Sequence, residues 1–119
     1  TAYQAAQTFL QSNSALVAIA SNYSGMTRGV VEAVEQSGRD VLVYDSNGDR
    51  WTKEQIESGS ILGALPGMPA TDLQLSMQAI VDHLDGKSVE TVINPLDQLQ
   101  FPGAPIITPE NVSQWEPEY

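Results

Sequence analysis

Three times along these 119 residues an amphipathic run stops at a glycine, and a short apolar run begins within a few residues. The segments are VVEAVEQSG-RD-VLVYD, EQIESG-S-ILGAL and QAIVDHLDG-KS-VETVI, with their glycines at Gly38, Gly59 and Gly86. Glycine is the usual residue just past a helix end, because it enters the left-handed region with no Cβ to clash. A helix that feeds straight into a buried strand is the second half of a βα unit. Repetition of that unit builds a parallel sheet packed with helices, and such sheets take ligands beyond the carboxyl ends of their strands.

The remaining elements follow from periodicity. Residues 1–12 carry Tyr3, Ala6 and Leu10 at helical spacing, and 14–21 form the continuous apolar run of a fully buried strand. Residues 22–25 make a turn, with Asn22 or Ser24 as the N-cap of a helix that ends at Gly38. Met26, Val30, Ala33 and Val34 share one face of that helix. Residues 41–45 are a second buried strand. A polar turn then leads to a helix at 52–58, capped by Thr52, and 61–65 form a third strand.

Pro66-Gly67-Met68-Pro69 fits neither period. The longest helix covers about 71–85, with Leu73, Met77, Ile80 and Leu84 as its buried stripe. Residues 88–93 are expected to be a fourth strand and 94–105 a loop broken by Pro and Gly. Residues 106–115 read as a short strand and a helical turn capped by Thr108. The expected architecture is one α/β domain: an open parallel sheet of about four strands with helices on both faces.

Charge and composition narrow the function. Fifteen acids against five bases give −10, a field that repels phosphate backbones and anionic lipid, so no nucleic acid or membrane surface is expected as a partner. With no cysteine there are no disulfides, thiolate metal sites or cysteine nucleophiles. The one histidine, His83, lacks partners at metal or catalytic spacing and reads as a solvated or capping side chain. Ser24 lacks the glycine two places before it that a nucleophile elbow needs, and phosphate-loop and dinucleotide glycine patterns are missing. Residues 45–49 place oxygen ligands at the first, third and fifth positions of a calcium loop. Arg50 then stands where its glycine belongs and Ile56 where its bidentate glutamate belongs, so a polar turn is the better reading. No enzyme, no cofactor and no metal are expected.

Asn22 and Asp45 carry more information, because each lies just past the carboxyl end of an expected parallel strand. Asparagine offers donors and an acceptor, and a carboxylate accepts from two hydroxyls at once, which suits a neutral polyhydroxylated ligand. The competing reading is that Asn22 caps a helix and Asp45 starts a turn. Trp51, on the same edge, either stacks on a sugar ring or plugs the base of its helix.

Residues 15–38, then 41–49, then 56–69 resemble, in order and spacing, the C-terminal part of type I periplasmic sugar-binding proteins of ABC importers, of the ribose- and xylose-binding kind. The family pattern also has a long helix ending in Asn/Asp-Gly-Lys, here Asp85-Gly86-Lys87, and a final T-x-x-N-V/I segment, here Thr108 to Val112. The resemblance implies a binding module for a monosaccharide or related polyol, periplasmic or extracellular, working with an ABC permease. The effector domain of a sugar-responsive transcription regulator resembles the same fold and is the alternative.

Carried over residue by residue, Asn22 or Ser24 matches the ligand-contacting asparagine, and Asp45 the aspartate that holds sugar hydroxyls. Gly67 falls where many members place a polar hinge side chain, and it supplies only backbone. Members have two lobes joined by three crossings. On that plan 1–65 belong to the second lobe, 66–68 are hinge, 69–93 return to the first lobe, and 94–119 are hinge and tail. The chain then corresponds to a C-terminal fragment, whose orphaned apolar faces are expected to be buried either by collapse into one continuous four-stranded sheet or by self-association with another copy.

Overall fold

Gly38 and Gly59 do what the joints require. Each follows a helix with a positive φ (64° and 87°), and each turns the chain back into the sheet. The computed structural model describes all of residues 1–119. It contains α1 (Ala2–Ser12), β1 (Ala18–Ser21), α2 (Ser24–Ser37), β2 (Leu42–Gly48), α3 (Arg50–Ser58), β3 (Gly63–Pro66) and α4 (Pro69–Leu84). Two 3-10 turns follow, Pro95–Gln98 and Val112–Gln114. The sheet order is β1-β2-β3, and both pairings are parallel.

The α/β class and the parallel open sheet stand as expected, with three strands instead of four. Gly86 ends α4 at a positive φ of 74°, yet residues 88–93 have no strand beside them and stay irregular. An alternating pattern becomes a strand only where a neighbouring edge offers hydrogen bonds. The free edge of β3 is taken instead by the tail. The Ala64 amide donates to the Ile107 carbonyl (2.9 Å), and the Ile107 amide donates back to Ala64 (2.8 Å), as one antiparallel bridge.

The two crossover helices α2 and α3 sit on one face, where helices on both faces were expected. Asp45 accepts hydrogen bonds from Thr27 on α2 and Thr52 on α3, so both crossover helices lie on the same side. There Val30, Val31, Ala33, Val43, Ile56, Ile61, Ala64 and Ile107 form the core, with Trp115 and Val112 closing one end and Ala6 and Leu10 of α1 the other. The opposite face, with Leu42, Tyr44 and Leu65, remains exposed. β1 is accordingly an edge strand, and its Ala18 and Ala20 face solvent.

Local details also differ. Met26 is exposed and Thr27 takes its place on the buried face of α2, while Tyr23 occupies the N-cap position without a side-chain bond. α3 starts at Arg50 because the Asp49 carboxylate accepts from the Thr52 amide (3.0 Å), so Asp49 is the cap and Thr52 lies inside. Asn111, not Thr108, stands at the N-cap of the last turn. α4 buries none of its residues. Its expected stripe is open, with Leu73 64% and Leu84 79% exposed.

Candidate functional site

The carboxyl ends of β2 and β3 open toward the start of α4. β2 runs beyond its expected end to Gly48, and its register against β3 shifts between Ser46 and Gly48. The residue between them, Asn47, takes a φ of 59°, a left-handed conformation that asparagine tolerates better than most residues. Its backbone carbonyl accepts from the Tyr119 hydroxyl (2.6 Å), and its side-chain amide donates to the Asn22 carbonyl (3.2 Å). A cleft of about 630 Å³ lies here, lined in part by Ser46, Asn47, Gly67, Asp72, Asn94 and Tyr119. Leu65, Met68, Leu96 and three prolines supply the apolar part of its wall, and a mixed polar and apolar lining suits a small molecule.

Beneath the cleft, carboxylates knit the helix starts together. Asp45 is 4% exposed, and its two oxygens accept from the hydroxyls of Thr27 (2.5 Å) and Thr52 (2.6 Å). Burial pushes its carboxyl above the usual range, against the pull of those two hydroxyls. Asp49 accepts from the Ser24 hydroxyl (2.8 Å) and the Thr52 amide, and pairs with Arg28 at 3.5 Å. Burial raises its pKa too, but the Thr52 amide, the Ser24 hydroxyl and Arg28 outweigh it and hold the carboxyl below the usual range. Burial, then the charges of Asp49 and Asp45, push the Tyr119 phenol up, so it remains a neutral donor.

The five residues singled out from sequence are thus placed differently. Gly67 lines the cleft. Asn22 lies at the same end of the sheet with its side chain exposed, but it borders a separate hollow between α1, β1 and α2. Asp45 and Ser24 are buried and engaged by protein partners. Trp51 is half-buried, and the Arg28 guanidinium lies 4.4 Å from its ring centre. Asn22 and Asp45 therefore do not share one hollow. Ser21, level with Asp45 in the neighbouring strand, keeps a buried hydroxyl without a partner.

Sequence reasoning missed Asn47, Asp72, Asn94 and Tyr119. The Asn47-Gly48 pair signalled a special backbone, but nothing local links Tyr119 to it across 72 positions. His83 lies exposed in the last turn of α4, and no three acidic or histidine side chains gather as metal ligands. No helix is long and apolar enough to cross a membrane.

Solved structures place this fold. The chain is similar to an ABC transporter periplasmic solute-binding protein from Actinobacillus succinogenes 130z, solved with D-allose, at TM-score 0.79 and 18% identity, covering 96% of this chain and 38% of that one. A carbohydrate transporter from Acidothermus cellulolyticus 11B, in complex with myo-inositol, gives 0.78 at 10% identity over 95% and 38%. A solute-binding protein from Bacillus halodurans C-125, also with myo-inositol, gives 0.69 at 23% over 95% and 37%. The chain thus spans well under half the length of these structures. A comparison with curated protein sequences gives no match. The family model described as periplasmic binding protein domain matches residues 1–88, and with its helix–glycine–strand joints and parallel sheet the chain belongs to that family.

Proposed function

We propose that the chain is part of a solute-binding protein that captures a neutral monosaccharide or cyclic polyol outside the cytoplasmic membrane and delivers it to an ABC permease. The observation that carries this reading is the cleft at the carboxyl ends of β2 and β3, with Ser46, Asn47, Asp72 and Asn94 on its rim. These groups suit hydroxyls. The net charge of −10 disfavours an anionic solute. The fold neighbours described as binding D-allose and myo-inositol lend support.

In this reading residues 1–65 form part of one lobe, 66–68 the hinge, 69–93 a segment that packs on the other lobe, and 94–119 the return. The bare stripe of α4 supports that division, as does the return of the tail to β3 at Ile107. Of the residues named from sequence, Gly67 forms part of the cleft wall while itself buried, and Asn22 is exposed beside the separate hollow. Asp45 and Ser24 act from below, fixing the starts of α2 and α3, and Trp51 acts through Arg28. Calorimetric titration with D-allose, myo-inositol and L-arabinose is the test, and micromolar to millimolar binding of one of them is expected. Heat with amino acids or nucleosides and none with any polyol would overturn the reading.

A further inference from the structure

Ser21 is the one buried side chain whose polar atom finds no partner. Its hydroxyl is withdrawn from water and gains no bond in return, a state that proteins rarely keep. Strand alternation puts Ser21 on the same sheet face as Ile19 and as its register partner Asp45, the face that α2 covers. The hydroxyl is therefore aimed toward the helices.

On that side α1, β1 and α2 leave the hollow that Asn22 borders, about 340 Å³ in volume. Ala5 and Phe9 of α1, Ile19 of β1, and Met26 and Val30 of α2 wall it, and Ser21 and Asn22 are the only polar residues in its lining. No charge stands in that wall. All fifteen acids and five bases of the chain lie from Arg28 onward, so α1 and β1 carry none of them. The volume falls at the small end of the roughly 300–1,000 Å³ typical of ligand sites.

We propose that this hollow is a second ligand site, separate from the cleft at β2 and β3, and that it takes a small neutral molecule with an apolar body and a single hydroxyl that bonds Ser21. The apolar wall accepts a ring or a short branched chain, and it rejects a polyol, whose other hydroxyls would be left unpaired against it. A charged ligand is rejected for the same reason, with no opposite charge to meet it. The serine hydroxyl both donates and accepts, so it pairs with an alcohol or a phenol in either sense. Having no partner, it turns about χ1 toward the ligand without breaking a bond.

Phenol and toluene are the probes, since they match in shape and differ by a hydroxyl for a methyl. Each is titrated into the chain labelled with nitrogen-15, and affinities are read from the backbone amide shifts. Phenol is expected to move the amides of Ser21 and Asn22 saturably. The ratio of phenol affinity to toluene affinity is expected to fall about threefold to tenfold in Ser21→Ala, the worth of one hydrogen bond. That variant should melt no lower than the parent, because the hydroxyl it removes has no partner. Ala5→Leu, a change at an exposed position of the wall, should weaken both probes. An unchanged ratio in Ser21→Ala would overturn the proposal. So would phenol shifts confined to the open stripe of α4, with the Ser21 and Asn22 amides still. Either result leaves the polyol reading untouched, since that reading is tested with sugars at the other cleft.

Discussion

Arg39 shows how much one side chain can hold at the residue scale. Its guanidinium donates to the carbonyls of Leu10, in the last turn of α1, and of Asn13, Ser14 and Leu16 in the loop that follows it. Arg39→Met should cost about 2 kcal/mol in chemical denaturation, since bonds to a charged donor exceed neutral ones. Asp45 acts in the opposite direction. Its pKa is raised in the folded state, so its contribution is fully present below the ordinary carboxylate value and is lost as pH rises through the raised one. Asp45→Asn is therefore expected to gain in melting temperature relative to the parent at neutral pH, with the gain shrinking toward pH 3–4 where the parent is protonated. Asp45 was legible as a strand-end carboxylate. That two threonines from different helices would take both its oxygens was not, because those partners are set by packing.

Among the elements, α4 is held differently from the rest. α2 and α3 are fixed by buried faces, whereas α4 buries nothing and is tied at its start by Glu118. The Glu118 carboxyl sits below its ordinary pKa because the Thr71 hydroxyl and the Thr71 and Ala70 amides outweigh burial. Stability from that contact is present above the ordinary glutamate value and lost as pH falls through the lowered one. Protection from hydrogen exchange at the first turn of α4, taken relative to the intrinsic rate at each pH, should therefore fall on acidification, and Glu118→Gln should lower it at neutral pH. Helix existence was readable from periodicity, and α2, α3 and α4 all appear near their expected places. Strand existence at 88–93 was not readable, since pairing requires a partner edge and the tail had taken it.

For the whole molecule, the radius of gyration is 17.4 Å, against about 13–14 Å for a compact chain of this length. The excess fits the 58 Å long axis and the open stripe of α4. The chain alone is expected to bind a hydrophobic dye and to self-associate with rising concentration in sedimentation runs. Salt should strengthen that association by screening the net charge of −10. Replacing Ile80 and Leu84 together by lysine should suppress both signals with little change in melting temperature, because both side chains are exposed. A dispersed monomer with no dye binding in the parent would contradict the open stripe.

The bridge at Ile107 and the burial of Trp115 also order events during synthesis. A ribosome that has released residues 1–100 has delivered every strand and helix of the body. Ile56 and Ile61 then still await the apolar groups that seal them, and the outer edge of β3 is unsatisfied. Nascent chains stalled short of residue 107 should therefore be held by chaperones or degraded, and release from that surveillance should come only once Ile107 and Trp115 have emerged.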